Sequence, residues 1–260
     1  MIHFAANLSL LYPDLPFAGR FRAASDDGFR GVEFLFPYEF PAEDLLQLIT
    51  RNQLEVVLFN LPPGDLTKNE WGRLSNPGQV SEFRRDFQMA LEYARVLNCH
   101  LLNMMFGQLI TDLTFAEQMA CARENLRWAA PLAEEFAVTL LLEPLNPIDF
   151  PRYGLNETNQ AIQLLREVDS EQVKLQFDLY HCVMSGEDPY QVIRDHLSMI
   201  KHIQFADVPG RHQPGTGQFN FREFFRTLET KSYPGACSLE YIPEGDMQAS
   251  LAWMKEYEWR

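Results

Sequence analysis

Eight short, nearly unbroken apolar runs recur along the chain, separated by longer stretches whose apolar positions fall three and four apart. The runs are HFAANLSL from His3, GVEFLFP from Gly31, EVVLFNLP from Glu55, LLNMMFG from Leu101, TLLLEPLN from Thr139, KLQFDLYH from Lys174, HIQFADV from His202 and ACSLEYIP from Ala236. Each is too short for a helix with a face of its own, and near-continuous apolar character marks strands covered on both sides of a parallel sheet. The stretches between them read as helices. Phe83, Phe87, Leu91 and Ala94 form one apolar stripe, and Ala161, Leu164, Leu165 and Val168 form another. Thr114 and Glu117 have capping-box spacing ahead of the helix carrying Met119 and Leu126, and Pro41 suits the first turn of a helix presenting Leu45, Leu46 and Ile49.

Eight strands alternating with about eight helices predict a (β/α)₈ TIM barrel of the α/β class, one domain spanning residues 1–260. An open doubly wound sheet would carry a glycine-rich phosphate turn after its first strand, and here that position reads ANLSLLYPDLP. A chain of 260 residues suits one barrel, and 46% hydrophobic residues supply a large core.

Charge and composition narrow the partners. The formal net charge of −14 repels phosphate backbones and argues against nucleic acid. No run is long enough to cross a bilayer, and the N-terminus lacks the charged start and cleavage site of a signal peptide, so the expectation is a cytoplasmic protein without a membrane partner. Cys99, Cys121, Cys182 and Cys237 form no CxxC pair and read as small apolar fillers.

In such a barrel the active site lies at the C-terminal ends of the strands. The polar residues expected there are Asn7, Glu33, Asn60, Asn103, Glu143 with Asn146, Asp178 with His181, Gln204 with Asp207, and Glu240. A single carboxylate at a strand end is commonly solvated or paired with a neighbour. Three carboxylates and an amide from four consecutive strands are another matter, because unpaired charges that close together are costly to bury. A divalent cation bound by Glu143, Asp178, Gln204 and Glu240 would meet that cost, and oxygen donors of this kind suit Mg²⁺ or Mn²⁺. Glu33 reads as a partner for a neighbouring cation rather than a substrate contact. Trp71, Tyr38 and Phe106 are candidate pocket walls or core, and His3, His100, His196, His202 and His212 show no usable pairing pattern.

Taken together, ANLSLLY, GFRGVEFLFPYEF, EPLNPIDFP, KLQFDLYH, HIQFADVPGRHQPGTGQFNF and SLEYIPE resemble the hydroxypyruvate isomerase family, a branch of the xylose-isomerase-like barrels. The resemblance runs from Asn7 to about Trp253. It implies that Glu143 and Glu240 are the catalytic proton-transfer pair, that Glu143, Asp178, Gln204 and Glu240 bind metal, and that His181 and Arg211 contact substrate. Two departures stand out: Ile242 occupies a position where the family often has Lys, and Gln218 replaces the acidic residue of the PGTGE loop motif. The NEWG segment at Asn69–Gly72 resembles the sister 2-oxotetronate isomerases, whereas the EPLN and DLYH motifs side with hydroxypyruvate isomerase.

The implied reaction interconverts hydroxypyruvate and tartronate semialdehyde through an enediol, one carboxylate removing a proton and the other returning one. The implied substrate is a small anionic keto or hydroxy acid, whose carboxylate needs a cation; the planar fork of Arg211 fits it. Glycines and a proline around Arg211 suit a loop that closes over substrate. The 2-oxotetronate isomerases and the ketose 3-epimerases are alternatives on the same fold. Endonuclease-like phosphodiester hydrolysis is disfavoured by only six histidines and the charge of −14. The sequence leaves the oligomeric state open, a homo-oligomer included.

Overall fold

The structure, a computed structural model, describes residues 2–256. Strands β1 (His3–Asn7), β2 (Gly31–Phe34), β3 (Glu55–Asn60), β4 (Leu101–Asn103), β5 (Thr139–Leu142), β6 (Val173–Asp178), β7 (Ile200–Phe205) and β8 (Ala236–Leu239) form a closed parallel barrel in chain order. It closes where β1 pairs with β8, from His3 opposite Ala236 to Ala6 opposite Leu239. The expected (β/α)₈ barrel is therefore the observed fold.

The intervening helices are α1 (Phe17–Asp26), α2 (Ala42–Arg51), α3 (Val80–Leu97), α4 (Phe115–Glu135), α5 (Thr158–Val168), α6 (Leu179–Met184), α7 (Pro189–His196) and α8 (Phe221–Thr230), followed by two short ones, α9 (Met247–Ser250) and α10 (Trp253–Glu256). No helix among the described residues is long and apolar enough to cross a membrane. The count exceeds eight because β6 is followed by two helices, α6 and α7, and β8 by two more. Pro41 stands one residue outside α2 rather than in its first turn; lacking an N–H, it contributes its carbonyl, which accepts from the backbones of Asp44 and Leu45.

Packing follows the apolar pattern. Phe83, Phe87, Leu91 and Ala94 bury one face of α3, and Ala161, Leu164, Leu165 and Val168 bury one face of α5. Aromatic rings seal the seam where the barrel closes: Phe4 meets Phe205 and Phe225 edge-on at 5.8 and 5.2 Å, and Phe225 stacks on Trp253 at 6.0 Å. Within the barrel, Gly31 permits a close approach that a side chain would block, since a Cβ there would lie 3.0 Å from Val57 and 3.1 Å from Ala5.

Two irregularities in the ladder bear on function. The register shifts in the β2–β3 pair opposite Val32 and Glu33, and in the β6–β7 pair opposite Leu175 and Gln176. The extra residues are Val57 on β3 and Lys201 on β7; bulges re-aim the side chains that follow them, and here these include Asn60, His202 and Gln204, all buried.

The capping box is formed as its spacing requires. Thr114 Oγ1 accepts from the Glu117 backbone at 3.2 Å, and the Thr114 backbone donates to Glu117 Oε2 at 2.8 Å. Thr114→Ala removes half of that exchange and is expected to cost about 1 kcal/mol, read as a lower denaturant midpoint with an unchanged slope.

Candidate active site

Glu143 and Glu240 stand one residue beyond the last ladder residues of β5 and β8, and Asp178 is the last residue of β6. The three are 3–5% exposed. Each offers an oxygen, and His181 a ring nitrogen, such that all four atoms lie within 4.8 Å of one another. The closed barrel thus delivers to one point residues that the sequence sets far apart.

Local chemistry fixes each member. Asp178 caps α6, its Oδ1 accepting from the backbone of Tyr180 at 2.7 Å and of His181 at 3.2 Å. This turn brings His181 back over Asp178, so the DLYH motif is a helix start that doubles as a site. Asp178 Oδ2 is buried without a hydrogen-bond partner. Glu143 Oε2 accepts from Asn103 Nδ2 at 2.6 Å. Glu240 accepts from Asn7 Nδ2 at 3.3 Å through Oε1 and from Arg211 Nη2 at 3.2 Å through Oε2.

Three carboxylates meet one guanidinium, and the imbalance is visible in their acidities. Burial first, then the Asp178 charge, pushes Glu143 up to about 8, against the pull of Arg211 and Asn103. Burial likewise drives Glu240 well above the ordinary carboxylate range, Arg211 notwithstanding. Burial also opposes ionisation of Asp178, but the His181 ring, the Glu240 carboxyl and Arg211 outweigh it and hold Asp178 low. Like charges this close drive the protons onto some members of the set.

His181 is neutral, since burial drives its imidazole down to about 4. The backbone and side-chain N–H groups of Asn146 face its Nδ1 at 3.2 and 2.7 Å. Nδ1 must therefore accept, which leaves the proton on Nε2, 3.7 Å from Asp178 Oδ2. A protonated Nε2 donates to an oxygen; it does not ligate a cation. His181 thus reads as a hydrogen-bond donor beside the three carboxylates.

Arg211 lies in the loop after β7, its guanidinium 5.1 Å over the Tyr180 ring and its side chain 20% exposed. The Asp207 carboxylate holds that loop, accepting from the backbones of Val208 and Gly215 at 2.8 Å, Gly217 at 2.9 Å and Phe219 at 3.3 Å. Gly217 comes so near that a Cβ there would overlap Asp207 and the Val208 carbonyl. Asp207 is therefore the hub of the loop that presents Arg211, which its strand-end position alone does not reveal. Ile242 anchors the same loop through its backbone, donating to the Arg211 carbonyl at 2.9 Å and accepting from His212 Nδ1 at 2.8 Å, while half of its side chain is exposed. The loss of a charged residue at this position leaves the anchoring intact.

Gln204 donates to Glu33 at 2.7 Å and accepts from Gln176 at 2.5 Å. Glu33 also accepts from His202 at 2.7 Å and from Asn7 at 2.9 Å, so it is engaged with strand ends and with a histidine that showed no pattern in the sequence. Of the three aromatic candidates, Trp71 meets Phe150 edge-on at 5.2 Å, and Phe150 meets His181 at 5.7 Å. Tyr38 and Phe106 pack instead into the body, Tyr38 against Tyr93 and Phe106 against Phe115 and Tyr153.

The donor set fits a hard divalent cation: clustered carboxylate oxygens, one of them orphaned, and more negative charge than Arg211 can balance. Glu143→Gln keeps an acceptor for Asn103 while deleting a carboxyl group whose ionisation burial and Asp178 oppose. Without divalent cation the variant is expected to gain about 1 kcal/mol, a rise of roughly 3 °C in unfolding temperature. Added Mn²⁺ is expected to raise the unfolding temperature of the original protein but not that of the variant. A variant less stable than the original in chelator would refute the account of uncompensated charge.

Comparisons with known proteins identify the family of this barrel. The family model described as xylose isomerase-like TIM barrel matches residues 21–257. A 2-oxo-tetronate isomerase of Cupriavidus necator is 41% identical over 258 residues, covering 99% of each chain. The hydroxypyruvate isomerase of Escherichia coli is 37% identical over 257 residues, covering 99% of this chain and 100% of its own. The crystal structure of a Brucella melitensis protein named AP endonuclease, family 2 superposes with a TM-score of 0.96 at 38% identity, covering 99% of each chain. The chain belongs to the xylose isomerase-like TIM barrel family, in the group that holds the hydroxypyruvate isomerases.

Proposed function

We propose that this protein, an aldose–ketose type isomerase by its relatives, interconverts hydroxypyruvate and tartronate semialdehyde through an enediol. The observation that carries the reading is the pair Glu143 and Glu240. They come from strands three apart, lie within one cluster, and are both held by burial and like charge toward the protonated form. A carboxyl group held toward its protonated form can give a proton, and its ionised form can take one.

The reaction moves a carbonyl by one carbon. A proton leaves the hydroxymethyl carbon, another arrives at the former carbonyl carbon, and the hydroxyl proton passes between the two oxygens. One glutamate takes the carbon-bound proton and the other supplies its replacement. Glu143 has Oε2 held by Asn103, which fixes the direction in which Oε1 points. His181 Nε2–H donates to a substrate oxygen, and Arg211 receives the substrate carboxylate with its planar fork. Glu143, Asp178, Gln204 and Glu240 are the residues that would hold Mg²⁺ or Mn²⁺. Such a cation would stabilise the negative charge of the enediol and acidify the neighbouring C–H.

A second substrate has one feature in its favour. The NEWG segment carries Trp71, which reaches the site through Phe150, and relatives carrying the 2-oxo-tetronate isomerase name are 34–41% identical. Comparing kcat/KM for hydroxypyruvate and for 2-oxotetronates, with and without chelator, decides between them. Endonuclease activity, which the name of the Brucella protein carries, is opposed by the net charge of −14, since it repels phosphate backbones.

Glu143→Gln and Glu240→Gln are each expected to lower kcat by about 10²- to 10⁴-fold with the circular dichroism spectrum unchanged; near-normal turnover in either variant would remove the assignment. Arg211→Ala is expected to lower kcat/KM about 10- to 100-fold, the loss of a hydrogen bond to a charged group, with most of the change in KM.

A further inference from the structure

Glu33 lies below the cluster and makes contacts that cross the barrel. It sits on β2, and its partners His202 and Gln204 sit on β7, with β1 and β8 between them along the wall. These bonds must therefore pass through the interior. The residues involved are all but sealed from solvent: Glu33 and Gln204 are 1% exposed and His202 is 0%. Around the Glu33 carboxylate stand three nitrogens, His202 Nε2 at 2.7 Å from Oε2, and Gln204 Nε2 at 2.7 Å and Asn7 Nδ2 at 2.9 Å from Oε1.

A carboxylate in such a setting accepts and does not donate. The end of the Gln204 amide that faces it must be the NH₂ group, so the other end must be the oxygen. Gln176 Nε2 donates to that oxygen at 2.5 Å, which leaves it a second lone pair. Gln204 is in register with Asp178, and its strand separates β6 from β8, which leads to Glu240. Asn7 obeys the same rule: its NH₂ bridges Glu33 and Glu240, and its Oδ1 is left to accept from the Ser9 backbone at 3.0 Å. One buried carboxylate thereby orients two amides at the mouth of the barrel.

We infer that Glu33 is a positioning residue: by accepting from the Gln204 amide it fixes the oxygen of Gln204, and not the nitrogen, as the end available to a cation shared with Asp178 and Glu240. The inference rests on the cation reading of the site. Without the carboxylate, the amide of Gln204 could turn and present an NH₂ group, which repels a cation.

The test is Mn²⁺ affinity, measured by titration calorimetry on the original protein, Glu33→Gln, Gln204→Ala and the double variant, with unfolding temperature in chelator as the check of folding. Glu33→Gln is expected to weaken Mn²⁺ about 10- to 100-fold, the usual size for a partner of a ligating group. In the Gln204→Ala background the same change is expected to add less than about threefold, because residues that act through one another are not additive. Affinity of Glu33→Gln within about twofold of the original, or losses that multiply in the double variant, would overturn the inference. If Glu33→Gln does not fold, the exchanged pair Glu33→Gln with Gln204→Glu restores one carboxylate facing one amide and an oxygen at position 204. Mn²⁺ binding by that folded pair within about tenfold of the original is expected, and no binding would overturn the inference. An original protein that binds no Mn²⁺ would overturn the cation reading and this inference with it.

Discussion

The site is organised by the cost of gathering carboxylates where water cannot reach them. Glu143, Asp178 and Glu240 converge above a fourth, Glu33, and Arg211 is the guanidinium that meets them. Taking charges out of water costs several kcal/mol apiece unless partners make up for it. The surrounding residues are those partners. Asn103 serves Glu143, the N-terminal turn of α6 serves Asp178, Asn7 bridges Glu33 and Glu240, and His202 and Gln204 serve Glu33. Donors outnumber cations, so the cluster is held together by N–H groups while its net charge stays negative. That excess of charge is what a divalent cation and a protonated glutamate would each relieve.

A closed parallel barrel suits this task because each strand delivers its end to the same rim, while the loops that follow are free to differ. The strand ends supply acceptors, and the loops supply the opposing charge. Arg211 is useful only if its loop is rigid, and Asp207 makes it so by gathering four backbone N–H groups around one carboxylate. The two acids nearest Arg211 in function are thus of different kinds. Glu240 touches its guanidinium, and Asp207 shapes the loop it stands on.

Strands, helices and the three clustered carboxylates were legible in the sequence because each rests on local pattern. Apolar runs give strands, and the polar residue at the end of a run gives the rim. Thr114 with Glu117 gives a capping box. What could not be read depends on contacts across the barrel. His202 looks like any strand histidine until β2 and β7 are seen to face each other through the interior. Glu33 reads in sequence as an acid in want of a cation, whereas it is held by two amides and an imidazole ring. The tautomer of His181 follows from the Asn146 backbone, 35 residues away in sequence. Asp207 was visible as a strand-end acid, but its four partners are backbone groups, which carry no residue signature.

A fixed floor under a variable rim would let one barrel serve two neighbouring reactions. Hydroxypyruvate and a 2-oxotetronate share a carboxylate and an adjacent carbonyl–hydroxyl pair, and differ in what is attached beyond. On the proposed reading the buried acids, His181 and Arg211 would address only the shared part, since they are fixed by contacts within the barrel and its first loops. Discrimination must then fall to side chains at the mouth that are not so fixed. Trp71 with Phe150 on one side, and the exposed Ile148 and Ile242, stand there. They are apolar, so they would act by shape and exclusion of water, and an apolar wall separates substrates differing by one carbon only weakly. High identity to enzymes of both names is what such a division of labour would produce: a common chemical floor beneath residues free to change.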